Sequence, residues 1–203
     1  MVKMSENSRH LARLLIDKLP AYFPPDKLQV FDESGGVGIA FSRLPFDHLL
    51  FTGSTKVGHD IMRMAAENLT PVTLELGGKS PAILAADYPL EKAAERIMVG
   101  KLLNAGQTCI APDYVLVPAG REQAFVDAAR RVVAKCFPDL GATPDYTAIV
   151  NDRHYQRLQA YVDDARQRGA RIEPLSPAQP DAARRKLPPL ALLDVNDDMR
   201  VMQ

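Results

Sequence analysis

A chain of 203 residues is long enough for one good core or one and a half domains, and its 46% hydrophobic and 25% charged content is that of an ordinary soluble globular protein. With 25 basic and 25 acidic residues the net charge is zero, which leaves no electrostatic footprint for nucleic acid or for an anionic membrane surface. No apolar run approaches the ~20 residues that span a bilayer, and the opening MVKMSENSRH lacks the apolar core of a signal peptide, so a cytoplasmic chain without a membrane segment is expected.

Ser5 or Ser8 can cap a first helix carrying Leu11, Leu14, Leu15 and Leu19 at helical spacing, ended by Pro20, Pro24 and Pro25. Leu28–Phe31 reads as a short strand closed by Gly35-Gly36, Val37–Leu44 as a short helix and Leu49–Thr52 as a buried strand. The loop Gly53-Ser54-Thr55 leads into a helix through about Leu69, with Val57, Ile61, Met64 and Ala65 on one face, and Val72–Leu76 returns as a strand. Further on, Ala82–Ala85 is a strand, Leu90–Leu103 a helix, Tyr114–Val117 a strand and Arg121–Phe137 a helix. A third long helix, Asp152–Arg168, is stopped by Gly169, then Arg171–Glu173 and Pro189–Leu193 read as strands flanking a surface loop at Ser176–Lys186. Strand–helix alternation with near-continuous apolar strands argues for parallel sheet covered by helices, an α/β fold. Both ends look cut, because a parallel sheet needs partners on each side.

Three segments bear on chemistry. Gly53-Ser54-Thr55-Lys56-Val57-Gly58 joins a strand to a helix, where glycine lets backbone approach a phosphate at a helix N-terminus; a plain strand-to-helix turn has the same pattern. It is not a P-loop, because His59 stands where Lys should follow, and the Gly-x-Gly-x-x-Gly fingerprint is absent. Glu75, in Val72-Thr73-Leu74-Glu75-Leu76, has apolar neighbours on both sides. Buried there, its pKa would rise toward that of a general base; the alternative is an ordinary edge-strand glutamate. Cys109 follows Gly106-Gln107-Thr108, whose backbone N–H groups are expected to be free near the sulfur as an oxyanion site; the alternative is a small core cysteine. Cys136, on the face of Val132 and Val133, reads as core, and Arg184-Arg185-Lys186 as a solvated loop. Two cysteines fit free thiols rather than a disulfide framework, and four scattered histidines give no expected metal site.

The ordered set Phe51-Thr52-Gly53-Ser54, then Leu74-Glu75-Leu76-Gly77-Gly78-Lys79-Ser80-Pro81, then Gly106-Gln107-Thr108-Cys109 resembles the aldehyde dehydrogenase superfamily, over essentially the whole chain. Leu49–Thr55 and Asn104–Pro118 look most like the branch acting on fatty, benzylic and coniferyl aldehydes. The resemblance implies parts of two doubly wound parallel-sheet domains, a Rossmann-like NAD-binding part over 1–76 and a thiol-bearing catalytic part over 77–203. It makes Cys109 the nucleophile and Glu75 the base that activates water. Gly53, Ser54, Gly58 and Leu76 would lie at the cofactor, and Lys3 with Glu6 would bind the adenosine ribose. A carboxylate at Glu6 leans toward NAD over NADP. Met4 departs from the family, which usually has proline there. Family members extend beyond both ends of this sequence, so a central piece is expected, and with it weak NAD binding and slow or absent turnover. The family is homo-oligomeric through a bridging strand that has no counterpart in these residues. An inactive remnant, or a fragment that pairs with an intact subunit, is the rival expectation.

Overall fold

The computed structural model describes residues 1–34 and 36–203; Gly35 of the predicted Gly35-Gly36 turn lies outside the described residues. The chain divides into two units, Met1–Gly77 and Gly78–Gln203.

The first unit runs β1 (Val2–Lys3), α1 (Arg9–Lys18), β2 (Val30–Phe31), α2 (Val37–Ser42), β3 (Leu49–Gly53), α3 (Thr55–Ala66) and β4 (Val72–Leu76). β1 pairs with β2 and β3 with β4, both in parallel, and Leu49 faces Val72 through to Gly53 facing Leu76. The β3–α3–β4 unit is the crossover that parallel strands require. Strand alternation sends Leu49, Phe51, Val72 and Leu74 onto α3, where Leu49, Ile61 and Ala65 form the buried centre.

Several expectations change here. Leu49–Thr52 is not buried throughout: Leu49 is, but Leu50 is 65% exposed on the face opposite α3. The α1 leucine stripe is rotated, with Ala12 buried while Leu11 and Leu14 flank it exposed. Val2–Lys3 forms a strand too short for any periodic signal. α3 stops at Ala66 rather than near Leu69, because Thr70 N–H donates to Ala65 O (3.1 Å) and Leu69 N–H to Ala66 O (3.1 Å), a Schellman closure with Leu69 left-handed at φ 55°.

The second unit runs β5 (Ser80–Ile83), α4 (Leu90–Leu102), β6 (Pro112–Leu116), α5 (Glu122–Cys136), α6 (Asp152–Gln167), β7 (Arg171–Pro174) and β8 (Leu190–Leu193). β5 and β6 are parallel, starting two residues earlier than the alternation suggests. β7 and β8 pair antiparallel, a departure from the all-parallel expectation that follows from their helix-free connection. Met98, Leu102, Val126, Ala129, Val133, Leu140, Tyr146 and Leu175 form the main core between α4, α5 and the following loop. Tyr146 donates its hydroxyl to Leu187 O at 3.0 Å, and burial pushes its pKa up to about 12, which keeps it a neutral donor. Cys136 is exposed at the last residue of α5, not core. Lys186, expected in a solvated loop, is buried, with its ammonium on Thr143 O.

Candidate active site

The thiol segment lies in the second unit. After α4 the chain makes a 3-10 turn at Leu103–Gly106, in which Asn104, Ala105 and Gly106 are successively left-handed at φ 51°, 53° and 77°. Only glycine takes that conformation without a Cβ clash, and at Gly106 a Cβ would also sit 3.1 Å from Lys101 Cε. Burial pushes the Lys101 ammonium pKa down; Asp113 draws it back up and Lys79 lowers it further. Lys79 is in turn paired with Asp113 and donates to Val201 O, fixing the start of β5 against β6.

The chain then turns tightly over Thr108–Ala111, closed by Ala111 N–H donating to Thr108 O at 3.2 Å, with Cys109 in the second position. Cys109 is exposed, and among the described residues no hydrogen bond uses its N–H. An exposed thiol residue with an unengaged main-chain N–H is the arrangement that an oxyanion site requires. The expectation of free donors fails at Gln107, whose N–H is taken by Asn104 O at 3.1 Å.

Glu75 lies in the first unit on β4, and it is exposed. Of the two readings open for this carboxylate, the ordinary exposed strand glutamate fits, because its apolar neighbours Leu74 and Leu76 point to the opposite face, toward α3, while Thr73 and Glu75 share the open one.

Of the remaining candidates, Gly53, Ser54, Gly58 and Leu76 are brought together. β3 ends at Gly53 and α3 starts at Thr55, with Ser54 capping through its hydroxyl, which accepts Val57 N–H at 3.4 Å. Helix geometry leaves the N–H groups of Thr55 and Lys56 without intrahelical acceptors, and this end of α3 is exposed. An anionic pyrophosphate fits such a terminus, with its positive dipole end and the Lys56 charge beside it. Gly58 is buried one turn behind, where a Cβ would lie 3.1 Å from Leu76 Cδ2, so glycine there lets α3 pack closely on β4. Lys3 and Glu6 are not joined. The Lys3 ammonium pairs with Glu33, a partner that sequence reasoning missed, whereas Glu6 is exposed beside the Ser5 hydroxyl at 3.4 Å. Both Lys3 and Glu33 are largely buried as side chains, at 24% and 19% exposed.

The aldehyde dehydrogenase family model matches residues 1–203, the whole sequence. The chain belongs to the aldehyde dehydrogenase family. It is 57% identical over 203 residues to a probable coniferyl aldehyde dehydrogenase of Pseudomonas aeruginosa, covering all of this chain and 42% of that protein. It is 43% identical over 205 residues to a coniferyl aldehyde dehydrogenase of a Pseudomonas species, covering 43% of it. Among solved structures, the substrate-bound AldH of Staphylococcus aureus superposes over the whole chain and 43% of its own length, with a TM-score of 0.88 and 34% identity. A Mycobacterium tuberculosis aldehyde dehydrogenase complexed with NAD+ matches 86% of this chain and 37% of its own, with a TM-score of 0.73 and 29% identity. The chain therefore spans less than half the length of these relatives. Among the described residues no helix is long and apolar enough to cross a membrane.

Proposed function

We propose that this chain carries the nucleophile and base for NAD(P)-dependent oxidation of an aldehyde, of coniferyl-type aromatic or fatty class, to its carboxylic acid. The observation that carries the reading is Cys109, exposed on a tight turn with its own N–H unengaged. The coniferyl preference is supported by the names of the two Pseudomonas relatives.

The Cys109 thiolate adds to the aldehyde carbon, forming a C–S bond and a thiohemiacetal oxyanion that the Cys109 N–H holds. When bound, the dinucleotide supplies the nicotinamide that accepts the hydride. Loss of that hydride from the former aldehyde carbon, by breaking its C–H bond, would leave Cys109 acylated as a thioester. Glu75 takes a proton from water, the resulting hydroxide attacks the thioester carbonyl, and the C–S bond breaks to return the thiolate and release the acid. Thr55 and Lys56 N–H groups, with Gly53 and Ser54, would hold the pyrophosphate, Gly58 and Leu76 would back that contact, and Lys3 with Glu6 would meet the adenosine ribose. The Glu33 carboxylate on Lys3 supports NAD over NADP, because it would repel a 2′-phosphate.

The test is NADH formation by the purified chain with NAD and coniferyl aldehyde, beside Cys109→Ser. Slow turnover that Cys109→Ser abolishes is the expected result; a folded chain with no thiol-dependent NADH formation overturns the catalytic reading. The second reading, a non-catalytic fragment that pairs with an intact subunit, draws on the exposed face of β3 at Leu50. Co-expression with a full-length relative must then give mixed oligomers.

A further inference from the structure

The side chain of Gln107 is bonded more completely than that of any neighbour on the thiol loop. Its Nε2 donates to Asn104 O at 3.1 Å and to Ala148 O at 3.1 Å, while its Oε1 accepts Val150 N–H at 2.9 Å. One amide thus uses both donors and one acceptor, and it reads the carbonyl and N–H of two residues spaced as a strand neighbour would read them. The main chain of the loop closes on itself as well: Gln107 N–H donates to Asn104 O at 3.1 Å and Asn104 Nδ2 to Gln107 O at 3.3 Å.

The segment that Gln107 grips is fixed. Ile149 is buried, its N–H donates to Arg185 O at 2.9 Å, and its carbonyl accepts from Arg185 Nε at 3.0 Å. Asn151 then caps α6 by accepting His154 N–H at 3.0 Å. On the other side of the amide stand Asn104 and Ala105, two non-glycine residues in the left-handed region. Such residues are strained and persist only where their surroundings over-determine them. Cys109 follows Gln107 by two residues, so the direction of its N–H depends on the backbone that the Gln107 amide holds.

We infer that Gln107 is a positioning residue: its amide locks the strained Asn104–Gly106 turn to the 148–150 segment and thereby aims the Cys109 N–H at the oxyanion formed when the thiolate attacks. The inference rests on the proposed role of Cys109 as nucleophile. It predicts a split between two thiol reactions. Acylation by p-nitrophenyl acetate passes through a tetrahedral oxyanion: the thiolate forms a C–S bond, the C–O bond breaks, p-nitrophenolate leaves and the acetyl group stays on sulfur. Alkylation by iodoacetamide displaces iodide directly and needs no oxyanion donor.

The experiment uses the full chain with Cys136→Ser, so that Cys109 is the one thiol. Gln107→Met is expected to lower the acylation rate by about 10- to 100-fold while alkylation changes little, the range associated with a misplaced donor. In Gln107→Glu the introduced carboxylate can accept from Val150 N–H but cannot donate to either carbonyl. Its acylation deficit relative to the parent is expected at about pH 8 and to narrow toward about pH 5, as the carboxyl gains a proton and regains a donor. Thermal melts confirm that each variant is folded, and the isosteric Gln107→Glu serves if Gln107→Met is not. A folded variant whose acylation matches the parent, or whose acylation and alkylation fall together, overturns the positioning role and leaves the Cys109 reading standing. Acylation of Cys109 in the parent no faster than that of Cys136 in a Cys109→Ser chain overturns the nucleophile reading, and this inference with it.

Discussion

Glu75 carries two separable expectations, one for stability and one for chemistry. Its side chain lies on the open face of β4, so replacing the charge by an amide breaks no buried contact, and Glu75→Gln should change stability by no more than about 0.5 kcal/mol. If Glu75 deprotonates the hydrolytic water, the same change should leave thioester formation intact and block its hydrolysis. Mass spectrometry of Glu75→Gln after mixing with NAD and coniferyl aldehyde should therefore find the acyl group retained on Cys109. An unmodified Cys109 together with unaltered NADH formation would remove Glu75 from the mechanism. The sequence leaves a buried base and an ordinary edge-strand glutamate both open at Glu75; its exposure fits the second, and the retained acyl group decides whether it also serves as the base.

Two helices end by the same hydrogen-bond pattern with different residues at the critical position. In α6, Ala170 N–H donates to Ala165 O at 2.9 Å and Gly169 N–H to Arg166 O at 3.1 Å, with Gly169 at φ 96°. In α3 the corresponding left-handed residue is Leu69, 90% exposed, where a Cβ is strained and the side chain buries nothing. Leu69→Gly should stabilise the chain by about 0.5–1 kcal/mol and Gly169→Ala destabilise it by a similar amount, both read from urea melts. The contrast also explains what was legible in advance. Gly169 announces a helix end, and the Asp152 helix stops where it should; Leu69 announces nothing, so α3 reads three residues too long. Periodicity located α4, α5 and α6. It misplaced the stripe of α1, since Leu11 and Leu14 border the buried Ala12 rather than define the face. The candidate thiol Cys109 and the candidate carboxylate Glu75 were visible as residue types in motif context. The contact of Lys3 with Glu33 and the grip of Gln107 on Ala148 and Val150 were not, because they join residues about 30 and 40 positions apart.

The apolar interior is distributed unequally over the molecule, and this sets how its parts should open. Of the 22 buried apolar residues among those described, four lie in the first unit, Ala12, Leu49, Ile61 and Ala65, and the other 18 in the second. Opening free energy follows buried apolar contact, so amides of β3, α3 and β4 should exchange by local opening while those of α4 and α5 exchange only near the global limit. Hydrogen-exchange mass spectrometry resolves these segments directly. The proposed cofactor contacts at Gly53, Ser54 and the start of α3 belong to the less protected unit, and a ligand that binds only the closed form stabilises it by mass action. NAD at 100 times its dissociation constant should contribute about 2.7 kcal/mol there, slowing exchange over residues 49–76 by about 100-fold. Protection that rises first in this segment, with little change over Glu122–Cys136, is the expected pattern. Uniform protection of both units, or none, would place the dinucleotide away from the Ser54 cap and return Gly53-Ser54-Thr55 to a plain strand-to-helix turn.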